Sequence, residues 1–581
     1  VFLAAVIPFG PALTAGFVGL DDHSVLLNVT GYRGFAAENL RWMFTTTHMG
    51  HYQPLTWLSY AVDHALWGMD PRGYHATNVL IHAVNAVLVY VLAGRLIGAA
   101  RPGWGVGRRV GAAAAGAVLW AVHPLRVESV AWVTERRDVL STMFLLGAAL
   151  AYVRAVGAGG VGVSSWRAYG VAVVLLLLSL LSKAWGMTFF VVMLVVDVYP
   201  LRRVGVGAIA SQRGFRLVME KAPFALLGLV FVVVAGYAQR STGKAVASLD
   251  SWTVMDRALQ GVYGLMFYVW KTVAPTGLTP MYEKPAHMDP ASPGVIAAMV
   301  VVVGVVAGLV AVRRRAPAAV AAAVAYLVIV SPVLGVFQSG PQLVADRYSY
   351  VAMIGVFIAI GGGLVMLIER LGASGRRSAI AGAGVVTMVL IGASWAQAVL
   401  WRDNDRLLGR IIEKGHAGPA VMLSYADALA NRGQLEESIP VYQKILEQTP
   451  AAGTVWTSLG QVQRRLGRFA EAEASLRRGL ENNPEAWQPA VELALMYLKE
   501  DELNRPMDAL LVLRFAIEDV ERPGRPPGLT PGGGGRPYLL MAIALDLTGN
   551  GKAGRPMLEK AAEFPALREE ATRLLRELEG P

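Results

Sequence analysis

The chain has 581 residues, 54% of them hydrophobic and 16% charged, with a formal net charge of +11 and no cysteine. Its positive mean hydropathy lies outside the range of soluble globular proteins and indicates a polytopic membrane protein. The lack of cysteine excludes a disulfide framework and thiolate or Cys-based zinc chemistry. The net positive charge does not point to nucleic acid, because most basic residues lie in short loops between apolar runs, where they set orientation.

Apolar runs of about spanning length fall at 1–19, 75–98, 110–123, 138–156, 168–182, 184–200, 222–238, 293–312, 316–334, 348–368 and 379–399, which predicts eleven transmembrane helices. The first run starts on Val1 rather than Met and is barely long enough to span, so its helix is expected to begin upstream. No small-residue cleavage site marks it as a signal peptide. A twelfth run, 257–274, is flanked by or contains Asp256, Arg257, Gln260, Tyr263, Tyr268 and Lys271, which predicts an amphipathic helix in the interface. Leaving it out of the spans collects Arg101, Arg108, Arg109, Arg202, Arg203, Lys221, Arg313–Arg315, Arg370, Arg376 and Arg377 on one side, against only Glu220 and Glu369. That side is the cytoplasm. The N-terminus is then cytoplasmic, and 20–74, 123–138, the turn at Ser182 and Lys183, 239–292 and 335–347 all face outward.

From about 401–405 the apolar runs stop and Glu, Arg and Lys become frequent. The expected division is a membrane domain, 1–400, and a soluble domain, 401–581. The soluble part repeats with a period of 34 residues: Gly433 recurs as Gly467 and Pro450 as Pro484, with Trp456, Leu459, Gly460 and Ala472 at the other signature places of a tetratricopeptide unit. Clear units are expected at 419–452 and 453–486. Divergent units follow to 565, with Tyr497 in register but Asp501 where Gly is expected, then a Pro- and Gly-rich insertion after Arg522, and a capping helix at 566–579.

The candidate chemistry lies in the outward segments. Asp21 and Asp22 sit just past the first apolar run, where paired carboxylates need water, a cation or hydrogen-bond donors. Either one orients or deprotonates a hydroxyl while its neighbour holds the loop or a divalent cation, or Asp22 simply caps a helix starting at His23. A denser cluster, His123, Arg126, Glu128, Glu135, Arg136, Arg137 and Asp138, occupies one short connector. Arg136 and Arg137 either hold a phosphate, which guanidinium groups match bidentately, or pair with headgroups or with Glu128 and Glu135. His123 before Pro124 reads as a satisfied helix-end residue. Lys183 either snorkels to headgroups or joins the site. Asp346 and Arg347 open the tenth run, and Arg347 is a second phosphate candidate. Trp42, Trp57, Trp67 and Tyr74 read as an aromatic interface belt. No P-loop, dinucleotide fingerprint or zinc-type His spacing occurs.

The Asp21-Asp22 pair, Pro54-Leu55-Thr56-Trp57, Gly73-Tyr74-His75 with Asn78 and His82, His123 to Trp132, Glu135 to Ser141, and Ala345 to Tyr350 together resemble the transmembrane and tetratricopeptide-repeat O-mannosyltransferases and their bacterial relatives. The resemblance runs over nearly the whole chain. It implies an all-α, C-type glycosyltransferase fold of about eleven spans followed by an α-solenoid. It also implies a polyprenyl-phosphate sugar as donor and a hydroxyl acceptor on the outer face of a membrane, here the bacterial inner membrane. The acceptor role falls on Asp21 or Asp22, and donor phosphate binding on Arg136, Arg137, Lys183 and Arg347, with His123, Glu128, Asp138 and Asp346 in support. The repeats would recruit the acceptor protein outside the cytoplasm. Gln53 and Met281-Tyr282-Glu283-Lys284 depart from the family pattern. No cofactor is required by this reading, although a divalent cation is allowed. A non-catalytic membrane scaffold for envelope assembly is the alternative, and it has no need of the outward acids and bases.

Overall fold

The computed structural model describes residues 1–157, 160, 162–208, 210–241, 252–285, 287–335, 342–413, 418–483, 487–499, 503–521, 535–564 and 567–579. The described residues are almost entirely helical, and the chain divides into two compact units, Val1–His416 and Ala417–Pro581. That division falls later than the composition change at 401–405. The helix Asn404–Glu413 belongs to the first unit, where the Asn404 side chain accepts from the Gly19 backbone amide and the Arg402 carbonyl accepts from Gly16.

Five helices are long and apolar enough to cross a membrane: Pro71–Ala100, Val133–Val156, Ala222–Arg240, Pro293–Val312 and Ala373–Leu400. Two further spans are helix pairs bent by 61° and 63°, Val106–Ala121 with Pro124–Ala131 and Asp346–Ala352 with Ile354–Glu369. Phe2–Thr14, Trp166–Ser182, Ala184–Val198 and Pro317–Val333 are apolar but shorter. Helices long enough to span therefore number five to seven among the described residues, short of the eleven apolar runs. Sequence chemistry explains several of the differences. Pro8 and Pro11 lack the amide hydrogens an α-helix needs, and Ile7–Thr14 is 3-10. Pro124 stands at the 61° break. The amphipathic run becomes the helix Val254–Val273, started by a reciprocal Thr253 and Asp256 capping box and absent from the spanning set.

Helix contacts in the first unit rely on small residues. A β-carbon on Gly361 would overlap the Ala112 carbonyl and the Gly116 backbone, and one on Gly116 would overlap the Phe357 carbonyl. The helices Val106–Ala121 and Ile354–Glu369 thus touch backbone to backbone, as small residues permit between membrane helices.

Three sequence expectations change here. The connector 123–138 is not an exposed loop: every residue from Ala121 to Thr142 is buried. It folds as short helical pieces, Pro124–Arg126, Val127–Ala131 and Val133–Glu135. The aromatic belt also dissolves. Trp57 and Tyr74 are fully buried with Tyr32, Tyr60, Met43 and Val133 in a core beneath the first polar segment, and Trp67 alone of the four is mostly exposed. Arg203 and Lys221, grouped by sequence with loop charges, are likewise buried around Asp197. Its carboxylate accepts from Tyr152 Oη at 2.8 Å, from Arg203 Nη1 at 3.1 Å and from Lys221 Nζ.

The second unit is a solenoid of helical hairpins: Pro419–Asn431 with Leu435–Gln448, Gly453–Arg465 with Phe469–Asn482, and Trp487–Leu498 with Pro506–Val520. Arg536–Leu547, Arg555–Ala562 and the amphipathic Arg568–Glu579 follow. Gly433 and Gly467 take φ values of 83° and 75° at equivalent turns, which is why glycine recurs there. Pro484, Asp501, the insertion from Arg522 to residue 534 and Ala566 lie outside the described residues.

The Gly361 contact yields a test. Gly361→Ala forces two backbones apart and is expected to cost about 1–3 kcal/mol, read as a lower thermal midpoint in mild detergent. Gly362→Ala, whose added carbon meets nothing within 4 Å, should leave the midpoint unchanged or raise it.

Candidate functional site

The site is built around the buried connector. Asn78 Nδ2, on the helix Pro71–Ala100, donates to the carbonyls of Val130 at 3.2 Å and Trp132 at 3.1 Å. Tyr60 Oη donates to the Val133 and Thr134 carbonyls at 3.0 and 3.2 Å. These bonds satisfy backbone that would otherwise be stranded away from water. They fix Glu135 at the start of the helix Arg136–Val156.

Glu135 is fully buried and receives three cations. Arg137 grips it through Nη2 at 2.7 Å and Nε at 3.2 Å, Lys183 Nζ lies at 2.8 Å, and Arg347 Nε at 3.3 Å. Lys183 and Arg347 have further partners. Lys183 Nζ reaches Asp138 Oδ1 at 2.6 Å, and Trp185 Nε1 donates to the same oxygen at 2.6 Å. Arg347 pairs with Glu128 through its side chain, donates its backbone amide to Glu128 at 2.8 Å, and lies over the rings of Trp132 and Tyr348. Asp346 accepts from Tyr282 Oη at 3.0 Å. The short antiparallel pairing of Tyr282–Glu283 with Gln342–Val344 brings these two segments together. Met281 to Lys284, which departs from the family pattern, therefore abuts the site.

The exposures give this cluster a direction. The Lys183 side chain is 21% exposed, Arg347 12% and Arg137 8%, whereas Glu135 is 0%, Asp138 0% and Glu128 3% exposed. The acids lie behind and the cations face outward. The accessible edge can therefore take an anion even though the cluster is nearly neutral.

Arg136 and Arg137, adjacent in sequence, have different surroundings. Arg136 is fully buried: Nη2 contacts Asp63 at 2.6 Å and the Tyr74 carbonyl at 2.8 Å, Nε donates to Asn78, and the guanidinium lies over the Tyr60 ring. Its donors are spent on holding the first polar segment to the connector. His123 is also a positioning residue, its Nε2 meeting the Thr272 carbonyl at 3.0 Å and its Nδ1 accepting from Leu125 at 3.2 Å.

The two aspartates separate in the same way. Asp22 is fully buried, with Oδ2 accepting from Val18 at 2.9 Å and Oδ1 from both the amide and hydroxyl of Thr134. It makes no side-chain cap to the His23–Leu27 turn. Its work is to clamp the first segment one residue from Glu135. Burial pushes its carboxyl up to about 6, against the lowering effect of the hydrogen bonds from Thr134 and Val18, with a smaller rise from Asp21. Asp21 is half-buried, its carboxylate accepts no hydrogen bond from the described residues, and it lies within electrostatic reach of Arg137.

Sequence reasoning passed over His51. Burial, reinforced by Arg137, Lys183 and Arg347, holds its imidazole well below the usual range, so it sits neutral beside the cations. Gln53 begins the helix Pro54–Trp67, where Thr56 Oγ1 donates at 3.0 Å to the carbonyl of Ser182, the residue before Lys183. The pattern of isolated histidines in a polar segment carried no signal of this proximity. Among the described residues, no three His, Asp or Glu side chains are grouped as metal ligands.

The Asp22 clamp has a pH signature. Its folded pKa lies above the ordinary carboxyl value, so the folded state holds the proton more tightly, and this group's contribution to stability falls as pH rises from about 4 through about 6. Asp22→Asn should lose about 1–3 kcal/mol at pH 5, because an amide cannot accept on both sides. Thermal midpoints at pH 5 and pH 7 should show a smaller drop between the two pH values in the variant than in the wild type.

Residues 453–485 match the tetratricopeptide repeat family. The chain is 38% identical over 149 residues to Protein O-mannosyl-transferase Tmtc1 of Drosophila melanogaster, covering 24% of this chain and 16% of that protein. It is 32% identical over 215 residues to Protein O-mannosyl-transferase TMTC1 of Homo sapiens, covering 34% and 23%. The match to Protein O-mannosyl-transferase TMTC2 of Mus musculus is 30% over 165 residues, covering 28% and 18%. The chain thus spans less than a quarter of the length of the relatives it matches. A chain of the crystal structure of the APC/C hetero-tetramer Cut9-Hcn1 aligns at 13% identity with a TM-score of 0.21, over 87% of this chain and 96% of that one, a likeness too low to inform the fold. The chain is a tetratricopeptide-repeat membrane protein related to the transmembrane and tetratricopeptide-repeat protein O-mannosyltransferases.

Proposed function

We propose that the protein transfers a sugar, of the mannose class, from a polyprenyl-phosphate donor to a hydroxyl of an acceptor protein on the outer face of the bacterial inner membrane. The observation that carries this reading is the outward edge of Arg137, Lys183 and Arg347 over buried acids, with Asp21, whose carboxylate accepts no hydrogen bond from the described residues, within electrostatic reach of Arg137. The first property suits a phosphate leaving group and the second suits a base.

In this reading the donor phosphate lies against the three cations. The acceptor oxygen attacks the anomeric carbon, its proton passes to Asp21, and the bond from that carbon to the phosphate oxygen breaks. The electron pair leaves on the lipid phosphate, whose charge Arg137, Lys183 and Arg347 stabilise. Displacement on the face opposite the phosphate inverts the anomeric centre. Asp22, Arg136 and His123 hold the scaffold. Glu128, Asp138 and Asp346 orient the cations and aromatic rings. With both Asp22 oxygens accepting from Val18 and Thr134, Asp21 is the carboxylate of the pair left to hold a divalent cation, should the reaction use one.

The repeats supply an acceptor surface. A polar cavity of about 440 Å³ is lined by Asp427, Tyr442, Ser458, Gln461, Arg464 and Glu492, mainly from the first helices of successive hairpins. That surface suits a peptide with mixed polar groups. The topology of eleven crossings with a cytoplasmic N-terminus puts the repeats outside the cytoplasm, where an acceptor protein would be met.

Purified full-length protein supplied with polyprenyl-phosphate mannose and an acceptor peptide tests this. Asp21→Asn should lower kcat about 10²–10⁴-fold, and Arg347→Ala or Lys183→Ala about 10²–10³-fold. Undiminished transfer by these variants would sink the assignment. No transfer from any lipid-linked sugar would leave the scaffold reading.

A further inference from the structure

A second feature lies at the far ends of the helices that carry the site. The helix Ile354–Glu369 has Asp346 and Arg347 before its first turn and Arg370 after its last. Likewise, Lys183 precedes Phe189–Val198, while Tyr199 follows it. Sixteen helical residues rise about 24 Å, so features at the two ends belong to opposite leaflets. A groove of about 410 Å³ lies between Pro71–Ala100, Phe189–Val198, Pro317–Val330 and Ile354–Glu369, running along the last of these from Gly355 to Arg370, with its basic rim at the end remote from Arg347.

Its walls are smooth and apolar. The Pro317–Val330 helix contributes a row of alanines and the Ile354–Glu369 helix contributes Gly362 and Gly363. β-carbons added at these glycines would meet nothing within 4 Å, in contrast to the crossing glycine Gly361. The polar groups are gathered at the rim, where Arg101, Arg315 and Arg370 line the same groove and are exposed. Arg101 is steadied by Met366 Sδ at 3.5 Å, and none of the three forms an ion pair among the described residues. The neighbouring acid, Glu369, is already taken by Arg108 at 2.5 Å. An apolar trough ending in three uncompensated guanidinium groups complements an amphiphile with an anionic head.

We propose that this groove binds an anionic glycerophospholipid of the leaflet opposite the ionic cluster, with an acyl chain along Gly362 and Gly363 and the phosphate among Arg101, Arg315 and Arg370. A sugar donor seated here would hold its phosphate a helix length from Arg137, Lys183 and Arg347, so the site is separate from the reacting one. The inference rests on membrane embedding and not on the transferase reading.

Native mass spectrometry of the full chain in mild detergent tests it, with titration of phosphatidylglycerol, phosphatidylcholine of the same acyl chains, and a polyprenyl phosphate. The wild type should retain phosphatidylglycerol about 10-fold more tightly than phosphatidylcholine, a modest figure for three surface cations. Arg101→Ala, Arg315→Ala and Arg370→Ala combined should remove that preference while leaving the protein folded by circular dichroism. Gly363→Leu, whose β-carbon meets nothing within 4 Å and whose side chain would extend into the trough, should weaken both phospholipids. Equal retention of the two phospholipids by the wild type, a preference that survives loss of the three arginines, or displacement of bound phosphatidylglycerol by the polyprenyl phosphate would each overturn the proposal.

Discussion

A buried carboxylate surrounded by three cations organises the first unit. Removing Glu135 from water is costly unless the charge is matched at close range, and Arg137, Lys183 and Arg347 supply that match from three distant parts of the chain. Two of the three cations take a further acid in turn, Asp138 beneath Lys183 and Glu128 beneath Arg347. The connector must enter the protein interior to bring these groups together, so its backbone is satisfied by Asn78 and Tyr60. The same constraint makes the site both a structural keystone and an anion-facing surface, because the pairing leaves only the cationic edge accessible.

This arrangement separates residues that look equivalent. Arg136 and Arg137 are neighbours on a helix start, yet successive helical positions point about 100° apart. One is consumed by Asp63 and Asn78, and the other faces Glu135 and Asp21. Asp21 and Asp22 divide in the same manner, one half-exposed and one locked by Val18 and Thr134. In each pair a single residue retains capacity toward a ligand, and its neighbour gives it a fixed position. His51 adds an imidazole to the same neighbourhood, held below its usual range by burial and by Arg137, Lys183 and Arg347, and so disfavoured from taking up a proton.

The two ends of the membrane helices have different chemistry. At one end, cations are interleaved with acids and tightly bonded. At the other, Arg101, Arg315 and Arg370 border an apolar groove without acids of their own. Small residues serve two purposes between these ends. Gly361 and Gly116 let backbones meet, while Gly362 and Gly363, one or two positions on, leave space.

The membrane class, the apolar runs, the 34-residue repeat and the concentration of charge in 20–74, 123–138 and 345–347 were legible in the sequence, because each depends on local composition or on periodicity. The amphipathic helix at 254–273 and the glycine turns at Gly433 and Gly467 were legible for the same reason. What local pattern could not supply was which polar groups are paired. The connector read as an exposed loop because its residues are charged, and only contacts from separate segments, such as Tyr60 to Val133, Lys183 to Glu135 and Arg347 to Glu128, make its burial tolerable. Trp57 and Tyr74 read as an interface belt because aromatic composition is the same at a membrane surface and in a core. The bends at Pro124 and before Ile354 shorten spans that hydropathy counts as whole. Burial and charge pairing are properties of the assembled tertiary structure: sequence supplied the ionisable groups, and the packing of distant segments decided which of them remain available to bind.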